Sequence, residues 1–238
     1  DVNPSGRTAD TYAYDFSTAA SWANSGERGE GSYVGSQGLY PADGTPNVNV
    51  GVAETYDAVR YVDYVEGIYV GYRWYETADA EGFWDDVANE HGTGYEGVVQ
   101  YPFGYGLSYT DFSWEVVGRT PSQGTRVGRE TSFSLRVRVT NTGSVAGRDV
   151  LQLYCSAPYT PGGIEKASSV LVAFEKTRLL QPGESQELTL SFDLDDVASY
   201  DGLDANANGF CGYELERGEY VVELRRNAHE AAECPAAR

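Results

Sequence analysis

A mainly β fold, an antiparallel two-sheet sandwich preceded by a loop-rich first region, follows from three observations on this 238-residue sequence. Phe133, Leu135, Val137 and Val139 alternate with Ser134, Arg136 and Arg138, a period of two that turns one set inward and the other to solvent. About seven short apolar runs lie beyond residue 109, separated by Asn-, Gly- and Pro-rich clusters, which is the pattern of an immunoglobulin-like or fibronectin III-like sandwich. Composition also changes at Ser108, with 4 basic and 17 acidic residues up to it against 13 and 19 after it. Tyrosine is skewed the same way, 13 of 19 lying in the first part.

In chain order, residues 25–49 are polar and glycine-rich with no apolar period, and read as an extended loop or surface arm. Closely spaced Val, Ile and Tyr over 57–75 predict a strand pair, or a strand and a turn at Glu66-Gly67. Residues 77–91 predict a short acidic helix carrying Phe83, Trp84 and Val87. Strands are then predicted over 112–116, 133–139, 150–154, 170–174, 188–192, 210–215 and 220–224. Asn141-Thr142-Gly143, Pro182-Gly183, an Asp/Asn/Gly loop and Arg217-Gly218 supply turns between them. A Cys…Trp…Cys core signature is absent, which argues against an antibody-type domain.

Charge and residue inventory exclude several functions. A net charge of −19 repels phosphate backbones and anionic membrane surfaces, so neither nucleic acid nor membrane is an expected partner. The sequence has no apolar run of the roughly 18 to 20 residues that cross a bilayer. Cys155, Cys211 and Cys234 are odd in number and lack zinc-type spacing, so they read as small hydrophobes, with one pairing left open. With only His91 and His229, and no HExxH motif, a zinc hydrolase is unsupported. A Gly-x-Ser-x-Gly nucleophile elbow is missing too. Asp204-Ala-Asn-Ala-Asn-Gly209 opens like a calcium loop, yet Leu215 stands where the bidentate Glu belongs, between Glu214 and Glu216. A hairpin loop is expected there, and neither metal nor cofactor.

Two motifs carry more. Tyr-Val-Glu-Gly-Ile-Tyr-Val-Gly-Tyr-Arg-Trp-Tyr over 64–75 and Tyr-Pro-Phe-Gly-Tyr-Gly-Leu-Ser-Tyr over 101–109 together resemble the closing signature of the family 3 glycoside hydrolases, the β-glucosidase and β-xylosidase family. Asp-Val-Asn-Pro-Ser-Gly-Arg-Thr at 1–8 resembles the approach to the last strands of that family's α/β-sandwich domain. The segments 139–147, 150–154, 173–176 and 180–185 resemble the fibronectin III-like domain that follows it. The order and spacing of these pieces make the resemblance specific, and it runs the length of the chain short of the tail after Glu230.

The resemblance implies three parts: 1–108 as the C-terminal portion of an α/β-sandwich domain, 109–232 as a fibronectin III-like domain, and 233–238 as a tail. It implies a parent enzyme that hydrolyses terminal β-linked glucose or related sugars with retention, using an Asp nucleophile on a (β/α)8 barrel and a Glu acid/base. Such a mechanism needs two carboxyl groups about 5 to 5.5 Å apart. A barrel needs roughly 200 residues or more, and the family's catalytic loop lies upstream of the 1–8 motif, so the segment alone is expected to be inactive. Expected partners are the remaining domains of the parent, the barrel among them, and a β-glucoside-type carbohydrate. The wording of 62–73 and of the Asn-Ala-His-Glu stretch resembles members with permuted domain order. A soluble region is expected, compatible with a secreted or a cytoplasmic parent.

Glu66, between aromatics in the matched motif, is the one catalytic candidate, against the plainer reading that its carboxylate holds a turn or pairs with Arg73. The ladder Tyr61, Tyr64, Tyr69, Tyr72, Trp74 and Tyr75 suits either interdomain packing or sugar stacking, with packing preferred. Trp22 and Trp84 are the candidates for an exposed sugar platform. The alternative to an enzyme part is a stand-alone carbohydrate-binding or adhesion module, and a third is a structural spacer.

Overall fold

The computed structural model describes residues 2–20 and 66–232. Two apolar cores organise them. The larger belongs to a sandwich of two three-stranded antiparallel sheets. One sheet holds β5 (Phe112–Thr120), β6 (Ser132–Asn141) and β9 (Ser185–Asp193), with β6 in the middle. The other holds β7 (Val150–Ser156), β8 (Val170–Lys176) and β12 (Val221–Arg225), with β7 in the middle.

Alternation in β6 turns Leu135, Val137 and Val139 into the core while Arg136 and Arg138 reach Glu187 across the strand pair. Opposite them lie Leu151, Leu153 and Cys155 of β7 and Leu224 of β12. Burial pushes the Cys155 thiol up to about 12, which makes it an inert apolar group. The turn cluster at Asn141 is fixed by its side chain, fully buried. Its amide donates to the carbonyls of Val145 and Leu180 at 2.8 and 3.0 Å, and its oxygen accepts from Thr110 Oγ1 at 2.7 Å.

The strands expected beyond residue 109 are present: 112–116, 150–154 and 170–174 extend at their C-terminal ends, 133–139 and 188–192 at both ends, 220–224 shifts by one residue, and the 210–215 run contracts to β11 (Gly212–Glu214), paired with β10 (Ser199–Asp201). Between β10 and β11 the Asp/Asn/Gly loop closes on itself as a hairpin. Asp201 accepts the N–H groups of Leu203 and Ala205 at 3.1 and 3.0 Å, which holds its carboxyl below the usual range, and Asp204 accepts from Gly209 at 3.0 Å.

The smaller core gathers Tyr75, Ala78, Trp84, Tyr95, Val98 and Val99. Around it lie the helix α1 (Tyr72–Ala80) and two pairs of very short strands, β1 (Tyr12–Ala13) with β4 (Val99–Tyr101) and β2 (Ala88–Asn89) with β3 (Gly92–Thr93). Here the structure corrects the sequence reading. The helix covers 72–80 rather than 77–91, so the strand expected over 57–75 gives way to helix at its end, and 57–65 lies outside the described residues. Gly82 explains the stop. At φ 75 it takes the position after the C-cap, its N–H donates to the Asp79 carbonyl at 2.9 Å, and Phe83 N–H donates to the Ala78 carbonyl at 2.8 Å. Those two bonds are a Schellman ending, which glycine adopts without a Cβ penalty.

Candidate functional site

The first region meets the sandwich along a polar and aromatic seam built largely from the 101–109 motif and α1. At one end Asn3 reaches the motif's last residues: its amide donates to Ser108 Oγ at 3.0 Å and its oxygen accepts Tyr109 N–H at 2.6 Å. Next to it Arg7 donates to Asp149 at 2.6 Å. Asp149 is only 2% exposed, and its carboxylate also accepts from Trp114 Nε1 at 2.7 Å and Val150 N–H at 2.9 Å. A buried carboxylate with this many donors is a structural anchor. Arg226 completes the corner, its guanidinium 4.3 Å over the Trp114 ring.

In the middle of the seam Gly104 lies against Gln152 of β7. The Gln152 amide donates to the carbonyls of Gly104 and Arg226 at 3.0 and 2.9 Å, and its oxygen accepts from Tyr154 at 3.0 Å. A Cβ at Gly104 would collide with that amide, and the backbone there has φ 81. Glycine is therefore required twice over, for the left-handed backbone and for close approach. Beside it Tyr72 of α1 stacks on Phe103 with ring centroids 4.7 Å apart and meets Tyr154 edge-on at 6.1 Å. The Tyr72 hydroxyl accepts Leu171 N–H at 2.9 Å.

At the far end α1 presents Glu76, 6% exposed, to two donors. Tyr95 donates its hydroxyl to Oε1 at 2.5 Å, and His229, from the turn after β12, lies 3.1 Å from Oε2 through Nδ1. The Tyr95 and His229 rings are stacked, 3.7 Å between centroids. Burial, with Glu76 beside it, drives the Tyr95 hydroxyl far above its ordinary value, and the bond to Glu76 raises His229 above its ordinary 6.5. Thr77, one residue on, accepts Ser168 N–H at 3.0 Å.

The candidate residues fall as follows. Glu66 is half-buried at the start of a turn, its carbonyl accepting Tyr69 N–H at 2.9 Å, with Gly67 at φ 56. The turn at Glu66-Gly67 is present, leading into α1 rather than a second strand. Trp84, expected on an exposed platform, is 5% exposed: Trp74 and Phe83 meet it edge-on and Tyr75 covers a face. The Schellman turn at Gly82 folds this tryptophan back under α1. Trp22, Tyr61 and Tyr64 lie outside the described residues. The rest of the ladder is engaged in packing: Tyr69 donates to Glu165, and Trp74 Nε1 donates to the Thr18 carbonyl at 2.8 Å.

Sequence reasoning missed Glu76, Asp149, Gln152 and His229. Among the described residues the buried carboxylates are Glu76, Asp149 and Asp201, each accepting at least two hydrogen bonds from neighbouring donors. A signal existed for Gln152 alone: it sits within an otherwise apolar run, where a polar residue facing a covered surface must find partners.

The first region also exposes apolar side chains, Val2, Tyr12 and Leu107 among them, and Tyr109 is exposed at its junction with the sandwich. Residues 149–228 match the family model of the fibronectin type III-like domain. The chain is 37% identical over 227 residues to β-glucosidase A of Butyrivibrio fibrisolvens, an alignment covering 92% of this chain and 22% of that protein. It superposes on a β-glucosidase from Paenibacillus barengoltzii with a TM-score of 0.69 and 33% identity, over 98% of this chain and 19% of that one. A GH3 β-glucosidase of Bifidobacterium adolescentis gives a TM-score of 0.63 at 26% identity, over 97% of this chain and 25% of that one. The chain thus spans about a fifth to a quarter of the length of these relatives.

Proposed function

Since this chain belongs to the family 3 glycoside hydrolases and matches their C-terminal region, we propose that it is the non-catalytic scaffold of a β-glucosidase-like enzyme. The parent hydrolyses terminal β-linked glucose or a related sugar with retention, and the carboxylates that do so, on a (β/α)8 barrel and an upstream loop, lie outside this segment. Residues 1–108 form the closing portion of the α/β-sandwich domain, 109–232 the fibronectin III-like domain, and 233–238 a tail. The segment packs the domains against one another and shapes the rim of the substrate site.

The observation that carries this reading is the pairing of a sealed seam with exposed apolar side chains in the first region. Asn3, Arg7, Gly104, Tyr72 and Glu76 tie the first region to the sandwich, while Val2, Tyr12 and Leu107 of that region are largely exposed. Exposed apolar side chains beside an ordered core suit a surface meant for the rest of a domain. Glu66 is then a turn residue and not a catalytic one. The engagement of Tyr69, Tyr72, Trp74, Tyr75 and Trp84 in packing supports a scaffold over a carbohydrate-binding or adhesion module.

Hydrolysis of p-nitrophenyl β-glucoside and β-xyloside by the isolated chain, beside the same assay on the longest open reading frame around it, tests the proposal. Activity is expected in the longer protein alone. Turnover by the short chain would overturn the scaffold reading and direct attention to Glu66.

A further inference from the structure

Among the described residues two ion pairs with a buried acid join the first region to the sandwich, Arg7–Asp149 and Glu76–His229. The second links α1 to the turn after the last strand and has a histidine as its base. The acid is almost fully buried, and its other oxygen accepts from the Tyr95 hydroxyl, so losing the imidazole leaves a buried carboxylate oxygen without that partner. The base is part-exposed, with 39% of its side chain open, so protons reach it from solvent. An accessible titratable base on a buried, fixed acid at a junction of two packed regions is the arrangement of a switch.

We propose that Glu76 and His229 form a pH-sensitive latch, which holds α1 against the sandwich while the imidazole is protonated and loosens that junction as the ring is deprotonated. The charged groups around the ring support this direction. From α1, Glu76 and Asp79 both favour the protonated ring. Tyr95, from the turn Gly94–Gly97, stacks on it and keeps its own proton through this range. From β12, Arg225 opposes the charge, but its guanidinium is committed to Glu223 and to the Ala228 carbonyl, both at 2.7 Å. Glu230, in the same turn as His229, is occupied with Asn227 at 3.3 Å.

The sign follows from linkage. A base whose docked value lies above its free value of 6.5 contributes fully below that free value, and the contribution is lost as pH rises through the docked value. The latch is closed in mildly acidic solution and open in alkaline solution. This inference concerns the chain's own junction and does not depend on the activity proposed for the parent.

Two measurements on the full 238-residue chain test it. In a ring-proton NMR titration, with His91→Gln assigning the two histidines, His229 is expected to titrate above 6.5 in wild type and to return towards it in Glu76→Gln. In hydrogen exchange from pH 6 to pH 9, corrected for intrinsic rates, protection of α1 is expected to fall by about tenfold for each unit of separation between docked and free values. Protection of β5, β6 and β9 should hold, and in Glu76→Gln the pH-dependent fall in α1 should vanish. A His229 that titrates at or below 6.5, a junction whose protection is independent of pH, or an equal loss in both regions would each overturn the latch. If Glu76→Gln does not fold, the wild-type titration and exchange profile decide alone.

Discussion

The sandwich and the region before it achieve order by different means. In the sandwich, three long strands on each side bury a continuous set from Phe112 to Leu224, including Val137, Val139, Leu151 and Leu153 with no exposed surface. Among the described residues, the first region has a nine-residue helix, strands of two or three residues, and a core of six side chains of which three are aromatic. Its positions are set by what it grips on the sandwich: Asp149, Gln152, Leu171 and His229. A sandwich can thus be a self-supporting platform while its neighbour is an appendage whose order is borrowed through directional bonds.

That contrast can be broken by removing one part at a time. The largest effect is expected from Leu153→Ala in the fully buried middle of β7. Losing that side chain should cost about 2 to 5 kcal/mol and unfold both regions together, read as a lower urea midpoint by tryptophan fluorescence and by circular dichroism alike. Gly104→Ala follows. Overpacking against Gln152 should cost about 1 to 3 kcal/mol, with roughly 1 to 2 more from the left-handed backbone. Here the first region should become protease-sensitive while the sandwich keeps its own unfolding transition; a single shared transition would mean that the two regions are one cooperative unit.

Tyr72→Phe sharpens the same point more gently. It keeps the stack on Phe103 and deletes only the acceptor for Leu171 N–H, so about 1 to 3 kcal/mol should be lost, visible as faster exchange at the Leu171 amide. Arg138→Ala should do least. The Arg138 side chain lies at the surface between Glu115 and Glu187, where water and salt screen ion pairs, and the urea midpoint should be indistinguishable from wild type.

Legibility from sequence tracks the same division. The β6 alternation could be read directly because one face of that strand meets the core and the other meets water. The β7 run is apolar almost throughout, and the structure gives the cause: Leu151 and Leu153 face the core, while Gln152 and Tyr154 on the opposite face are covered by Gly104 and Tyr72. A strand buried on both faces loses its alternation. In the first region the helix was misplaced by several residues although Gly82 stood in the sequence as a stop signal, since the aromatic residues after it, Phe83 and Trp84, suit a helix face equally well. Trp84 is expected at the surface, and the turn at Gly82 folds it under α1 instead.

By itself the sequence determined the sandwich, its strand order along the chain, the turn at Glu66-Gly67, the hairpin loop after Asp201 and the family to which the motifs belong. Each of these depends on residues close together in the chain, or on a periodicity that local geometry imposes. The tertiary structure alone decided the seam. Glu76 meets His229 across 153 positions, Arg7 meets Asp149 across 142, and Gln152 closes on Gly104 across 48. No local pattern encodes such meetings, because buried charges and amides choose partners only once packing has excluded water and brought the two regions together.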